Sequence, residues 1–161
     1  LAATQGGALP NVADVAGGVF YTSPKAFVGT FGAFCDEFVG TALLVALIFA
    51  ITDGRNQPVQ ANLNPLIIGF LIVAIGASFG LNTGYAINPA RDFGPRLWIA
   101  IVSGGASLNA YTWIPIVAPL LGGFAGAYIY DFTIGRVLTA RGTLPSGNTV
   151  TTGESVREPA V

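Results

Sequence analysis

The side chains able to do chemistry converge on residues 81–102, LNTGYAINPARDFGPRLWIAIV. Asn88-Pro89 is a helix start, with asparagine as the cap and proline at the first helical position, where its missing N–H costs nothing. Ala90, Arg91 and Asp92 follow at once, and Arg96 stands four residues after Asp92, a spacing at which acid and base bond along a helix. Such a set offers hydrogen bonding and fixed charge, not bond-making. The chain has no histidine and one cysteine, Cys35, which excludes a Ser-His-Asp triad, clustered His and Cys metal ligands and an internal disulfide. Seven basic and eight acidic residues leave no basic footprint for nucleic acid. Neither enzyme chemistry nor a metal or cofactor is expected.

The elements that position these residues follow from where charge is missing. Of 161 residues 52% are hydrophobic and 9% charged, against about 25% charged in an ordinary soluble domain. No charged side chain lies between Arg55 and Arg91 or between Arg96 and Asp131. Each gap exceeds the roughly 20 residues that a helix needs to cross about 30 Å of hydrocarbon. Membrane spans are expected at about 26–52, 63–80 and 112–137, the first carrying Asp36 and Glu37. The runs are continuous, which argues against alternating β-barrel strands, and they lack the polar face of a soluble core helix. Arg55, Arg136 and Arg141 fall on one side and Lys25 on the other. The positive-inside rule then makes 1–25 an extracellular loop and 138–161 a polar cytoplasmic tail.

Residues 81–102 must then leave and return on the outer face, yet Trp98 to Val102 is apolar enough to enter the bilayer. A re-entrant loop with a half-helix meets both demands, provided protein or a wet cavity covers its irregular backbone. Arg91 lies inside the membrane in this arrangement. It faces a pathway or a partner, pairs structurally, or snorkels to the outer interface. Asn64-Pro65 reads as a plain cap of the second span. Glu37 falls roughly 16 Å along the first, on one face with Gly40, Thr41 and Leu44, with no second carboxylate expected at its depth. Gly122 and Gly126, and the Gly76 and Gly80 pair, have the spacing of close helix packing.

The stretch GYAINPARDFGPR resembles the second Asn-Pro-Ala signature of the major intrinsic protein family, the aquaporins and glycerol facilitators. FCDEFVGTALL, IVAIGASFG and APLLGGFAGAYIY are similar to the family's fourth, fifth and sixth spans, and the likeness covers about Gly17 to Gly135. Asp92, Arg96 and the Pro119-Leu120 pair match the glycerol-facilitator pattern, so the chain resembles the C-terminal half of an aquaglyceroporin. The resemblance implies an all-α integral membrane fold: three transmembrane helices and one re-entrant half-helix, half of an inverted-repeat channel. It implies passive passage of glycerol, water and small uncharged solutes, in a homotetramer in the plasma membrane.

Residue by residue, it implies that Asn88, Pro89, Ala90 and Arg91 line the pore and that Gly76 and Tyr85 form two further walls. Gly76 would leave room for a carbon backbone, while Tyr85 adds a hydroxyl where the bacterial glycerol facilitator has phenylalanine. Glu37 would brace the re-entrant loop. The chain begins at Leu1 and has no methionine, and is expected to be a piece of something longer. No first Asn-Pro-Ala is present, and the N-terminal half is missing. A lone half would turn polar backbone toward lipid, so it is not expected to conduct by itself. Two other readings stand beside the channel: a secondary transporter with a broken helix, and a non-conducting half-protein that associates with full-length channels.

Overall fold

A computed structural model of the chain describes residues 13, 15, 17–56 and 59–141. The rest of the expected N-terminal loop, and the expected tail from 142 onward, lie outside the described residues. Four helices and a short fifth follow one another: α1 (Thr30–Thr52), α2 (Asn64–Phe79), α3 (Pro89–Val102), α4 (Ile114–Tyr130) and α5 (Arg136–Ala140). A π-helical turn, Asp131–Gly135, joins α4 to α5 without a break.

The helix ends differ from the apolar runs for local reasons. α1 starts at Thr30 rather than 26, because the Val28 N–H closes a turn onto the Lys25 carbonyl (2.8 Å) before Gly29 enters the helix from extended backbone. Asn64 is not the cap of α2. That position is Leu63, no side chain caps it, and the Asn64 Oδ1 is buried with no partner among the described residues. The last span runs on to Ala140, past the expected 137, because the π-turn absorbs an extra residue and keeps the chain helical. Thr41, Thr52, Ser78, Thr133 and Thr139 each return a hydroxyl to the carbonyl four residues back (2.6–2.9 Å), which satisfies it without water.

Thr30–Thr52 and Ile114–Ala140 are long and apolar enough to cross a membrane, and the shorter α2 is equally apolar. Large apolar side chains stand outward on all of them, among them Phe31, Phe70 and Phe124, and Trp98 does so on α3. In water such a surface would drive association; in a bilayer it is the required one.

The centre of the fold is the crossing of α1 and α4. Ala33, Ile114 and Ala118 are buried there with Tyr111, and Phe34 and Phe38 pack against them. Lower down the crossing is backbone on backbone. A methyl on Gly122 would come within 3.0 Å of the Phe38 carbonyl carbon, and one on Gly126 within 2.9 Å of that of Ala42. Gly126→Ala is therefore expected to destabilise the protein by about 1–3 kcal/mol through forced separation of the helices. Gly123→Ala, whose methyl would meet only Val45 Cγ2 at 3.7 Å, is expected to be neutral. Thermal unfolding of the two variants in detergent checks the contrast.

At the end of the bundle where α1 and α4 finish, Asp53 gathers the chain. It takes an ion pair from Arg55 (2.8 Å) and a hydrogen bond from the Tyr130 hydroxyl (2.9 Å), and Arg55 also donates to Thr139 (3.2 Å). The Arg55 guanidinium holds the Asp53 carboxyl well below the usual carboxylate range. Its share of the stability is thus complete at neutral pH and is lost only as pH falls through and below that range.

Candidate functional site

Between α2 and α3 the backbone turns in a way that L-residues resist. Gly84 has φ 93°, and Tyr85 and Ile87 lie at 42° and 41°, in the left-handed region, which costs roughly 1–2 kcal/mol for each non-glycine residue. Something must hold them there, and it is Glu37. Its carboxylate is fully buried. Oε1 accepts the Ala86 N–H (2.9 Å) and Oε2 the Ile87 N–H (2.7 Å), while the hydroxyls of Thr83 (2.7 Å) and Tyr111 (3.2 Å) also reach Oε1.

A second carboxylate does lie at this depth, contrary to the sequence expectation. Asp36 Oδ2 is 2.6 Å from the same Thr83 hydroxyl, and Asn82 Nδ2 donates to its Oδ1 (2.8 Å). With two N–H groups of the loop committed to Glu37, the carbonyl oxygens of Gly84, Tyr85, Ala86 and Ile87 accept no hydrogen bond from any described residue.

Asn88 ends the loop as the cap of α3. Its Oδ1 accepts from the N–H groups of Ala90 (2.9 Å) and Arg91 (3.3 Å), which fixes the amide so that Nδ2 is the group left over. Arg91, on the first turn, is exposed, and its side chain has no hydrogen bond or ion pair among the described residues. Tyr85 lays its ring on the Gly76 and Gly80 stripe: a methyl on Gly76 would fall 2.9 Å from its Cζ, and one on Gly80 3.0 Å from its Cδ1. The space over Gly76 is thus occupied by the tyrosine ring and is not open. The small-residue spacing serves that ring and not another helix.

Asp92 and Arg96 bond along α3 as their spacing requires (Nε to Oδ1, 2.7 Å), and both are fully buried. Their reach is wider than the helix. Asp92 Oδ2 takes the N–H (2.7 Å) and the hydroxyl (2.6 Å) of Thr22; Arg96 donates to the carbonyls of Thr22 (2.6 Å) and Ser107 (3.1 Å). The guanidinium sits 4.3 Å from the centre of the Tyr21 ring and 5.6 Å from that of Tyr111. The segments before α1 and before α4 are thereby tied to the half-helix. Sequence reasoning missed Tyr21, Thr22, Thr83, Ser107 and Tyr111, which sit in loops outside any periodic pattern. The only signal was a polar side chain in an apolar neighbourhood.

The loop of residues 80–88 has a cavity on each side. Ile87, Asn88 and Pro89 face Thr41 and Val45 of α1 and Pro119, Leu120 and Phe124 of α4 across an apolar groove of about 380 Å³. This places the Pro119-Leu120 pair beside Asn88. On the other side Arg91, Tyr85, Thr22, Ser23 and Lys25 line a more polar cavity of about 300 Å³.

The family described as Major intrinsic protein matches residues 3–130. Among curated relatives, aquaporin-9 of Mus musculus is 46% identical over 116 residues, which cover 70% of this chain and 39% of that protein. Aquaglyceroporin-3 of Trypanosoma brucei brucei is 42% identical over 120 residues, covering 73% and 39%. The solved aquaglyceroporin of Plasmodium falciparum superposes with a TM-score of 0.70 at 30% identity, over 75% of this chain and 52% of that one. The chain spans about two-fifths of the length of the curated relatives that it matches.

Proposed function

Because the chain belongs to the major intrinsic protein family, whose members are integral membrane channels and not enzymes, we propose that it forms one wall of a passive pore for glycerol, water and other small uncharged solutes. The observation that carries this reading is the state of Asn88. Its oxygen is spent on the α3 cap, leaving an amide donor at a helix end equivalent to roughly +0.5 charge. Arg91, without a partner one turn on, adds donors and a fixed charge. Together they welcome a hydroxyl oxygen and repel cations and hydronium. The carbonyls of residues 84–87 offer the matching acceptors, and the Tyr85 ring supplies an apolar surface for carbon. A polyol, with hydroxyls along one edge and C–H groups along the other, complements such a wall.

The remaining wall comes from an inverted first half, which would cover the groove beside Asn88 and Pro89. Arg55, Arg136 and Arg141 at one end support a cytoplasmic side for that end. The whole protein is a homotetramer of the plasma membrane in this reading, with no cofactor.

The test uses vesicles bearing the full polypeptide that carries this chain, shrunk with glycerol and followed by light scattering. Rapid re-entry, indifferent to pH and voltage, is expected. Asn88→Asp keeps the capping oxygen but turns the donor into an acceptor, and should slow glycerol about tenfold, the factor for one lost hydrogen bond. Saturable flux driven by a proton gradient, or an Asn88→Asp variant as fast as the parent, would overturn the reading.

A further inference from the structure

The helical run Ile114–Ala140 is longer than a bilayer needs, and its last turns are built unlike the rest. Counted from Ile114 at 1.5 Å per residue, Asp131 stands roughly 26 Å and Arg136 roughly 33 Å along the helix. The two therefore straddle the edge of a hydrocarbon layer about 30 Å thick. The π-turn Asp131–Gly135 widens the helix at that depth. Asp131, Gly135, Arg136 and Thr139 line a cavity of about 430 Å³ there, together with Arg55 of the α1–α2 loop. A methyl on Gly135 would stand 3.6 Å from Asp131 Oδ1 and 3.8 Å from Arg55 Nη2, so acid and base flank one space.

The charges at this end are not equally spent. Arg55 is engaged by Asp53 (2.8 Å) and donates to Thr139 (3.2 Å). Asp131 and Arg136 line the same cavity, but neither belongs to an ion pair among the described residues. The Arg136 guanidinium lies 4.2 Å from the centre of the Phe132 ring, a contact that uses its face and leaves its N–H edge. An anion alone would meet Asp131 in this cavity, and a cation alone would meet two guanidinium groups. The arrangement suits a ligand that carries both signs.

We propose that this cavity binds the headgroup of an ethanolamine phospholipid, with the phosphodiester on Arg136 and the primary ammonium on Asp131. Depth selects a lipid over a free zwitterion, because both charged residues stand where headgroups lie. Phe132, Ile134 and Val137 are exposed on the same turns and offer the acyl chains an apolar surface. The site needs only a chain that crosses the bilayer and does not rest on the pore reading.

The full polypeptide carrying this chain, in detergent micelles, is titrated with phosphatidylethanolamine and with phosphatidylglycerol of the same acyl chains, and bound lipid is read by native mass spectrometry. Phosphatidylglycerol keeps the phosphodiester and lacks the ammonium. The ethanolamine lipid is expected to bind about three- to fivefold more tightly, the factor for one solvent-open ion pair. Asp131→Asn should abolish that preference, Asp131→Glu should retain it, and Arg136→Gln should weaken both lipids. Both side chains are exposed, so equal thermal unfolding of the variants is expected and shows that folding is intact. Soluble glycerophosphoethanolamine at the same concentration should not displace the lipid; displacement would assign the site to a free zwitterion and overturn the lipid. Equal binding of the two lipids, tighter binding of phosphatidylglycerol, or a preference that survives Asp131→Asn would overturn the site. A failed glycerol-flux experiment would leave these results standing.

Discussion

Glu37→Ala is expected to remove the folded protein, not merely its activity. The carboxylate accepts two backbone N–H groups and two hydroxyls in a site closed to water. Alanine leaves the Ala86 and Ile87 N–H groups unpartnered, at roughly 1–3 kcal/mol for each buried group, while the Thr83 hydroxyl keeps Asp36 and the Tyr111 hydroxyl keeps Thr22. It also frees Tyr85 and Ile87 from the left-handed backbone that the carboxylate enforces. The loss is about 2–6 kcal/mol, a large share of a total stability of about 5–15 kcal/mol. Size-exclusion profiles and thermal unfolding in detergent read the outcome. Glu37→Gln keeps one acceptor oxygen and should lose only about 1–2 kcal/mol. An alanine variant as stable as the parent would show that the loop holds itself.

Asp92→Ala is expected to cost about 3–5 kcal/mol, because it strands the Arg96 charge in the interior. Thr22 loses both of its bonds to Oδ2 at the same time, so the segment before α1 is held to α3 only through Arg96, at the Thr22 carbonyl and the Tyr21 ring. Hydrogen exchange at the Thr22 amide should accelerate along with the fall in unfolding temperature. The double variant Asp92→Ala with Arg96→Met removes the stranded charge and should be more stable than Asp92→Ala alone. If the double variant is the less stable, the damage lies in the Ser107 and Thr22 contacts of Arg96 and not in the uncompensated charge.

The helices were legible because a bilayer admits no ambiguity about long uncharged runs, but their ends were not. The start of α1 depends on a turn between Lys25 and Val28, and the end of α4 on a π-turn; neither leaves a mark in composition. Asn64 shows the limit of the capping rule: the same Asn-Pro dipeptide caps α3 but not α2, because Asn88 enters from extended backbone and Leu63 is already helical. Asp92 with Arg96 could be paired from spacing alone. Their clamp on Thr22, seventy residues away in sequence, could not. The bracing role of Glu37 came from family resemblance, since no periodicity links it to N–H groups 49 and 50 residues later. For Gly76 the spacing announced close packing, and only the left-handed φ of Tyr85 reveals that the packing partner is a ring from the loop.

The order of synthesis gives the α1 and α4 crossing a further meaning. α1 leaves the ribosome with Asp36 and Glu37 already in it, but the loop that satisfies them comes two elements later, and Tyr111 with α4 later still. Until then two carboxylates have no protein donors, and a bilayer would exclude them. Those carboxylates therefore need water or another protein beside them while the residues from 38 to 111 are made. Closure of α4 against α1 is the step that ends this need. Stalling in that interval, more than any weakness of the finished fold, is when quality control would find this chain most open to destruction.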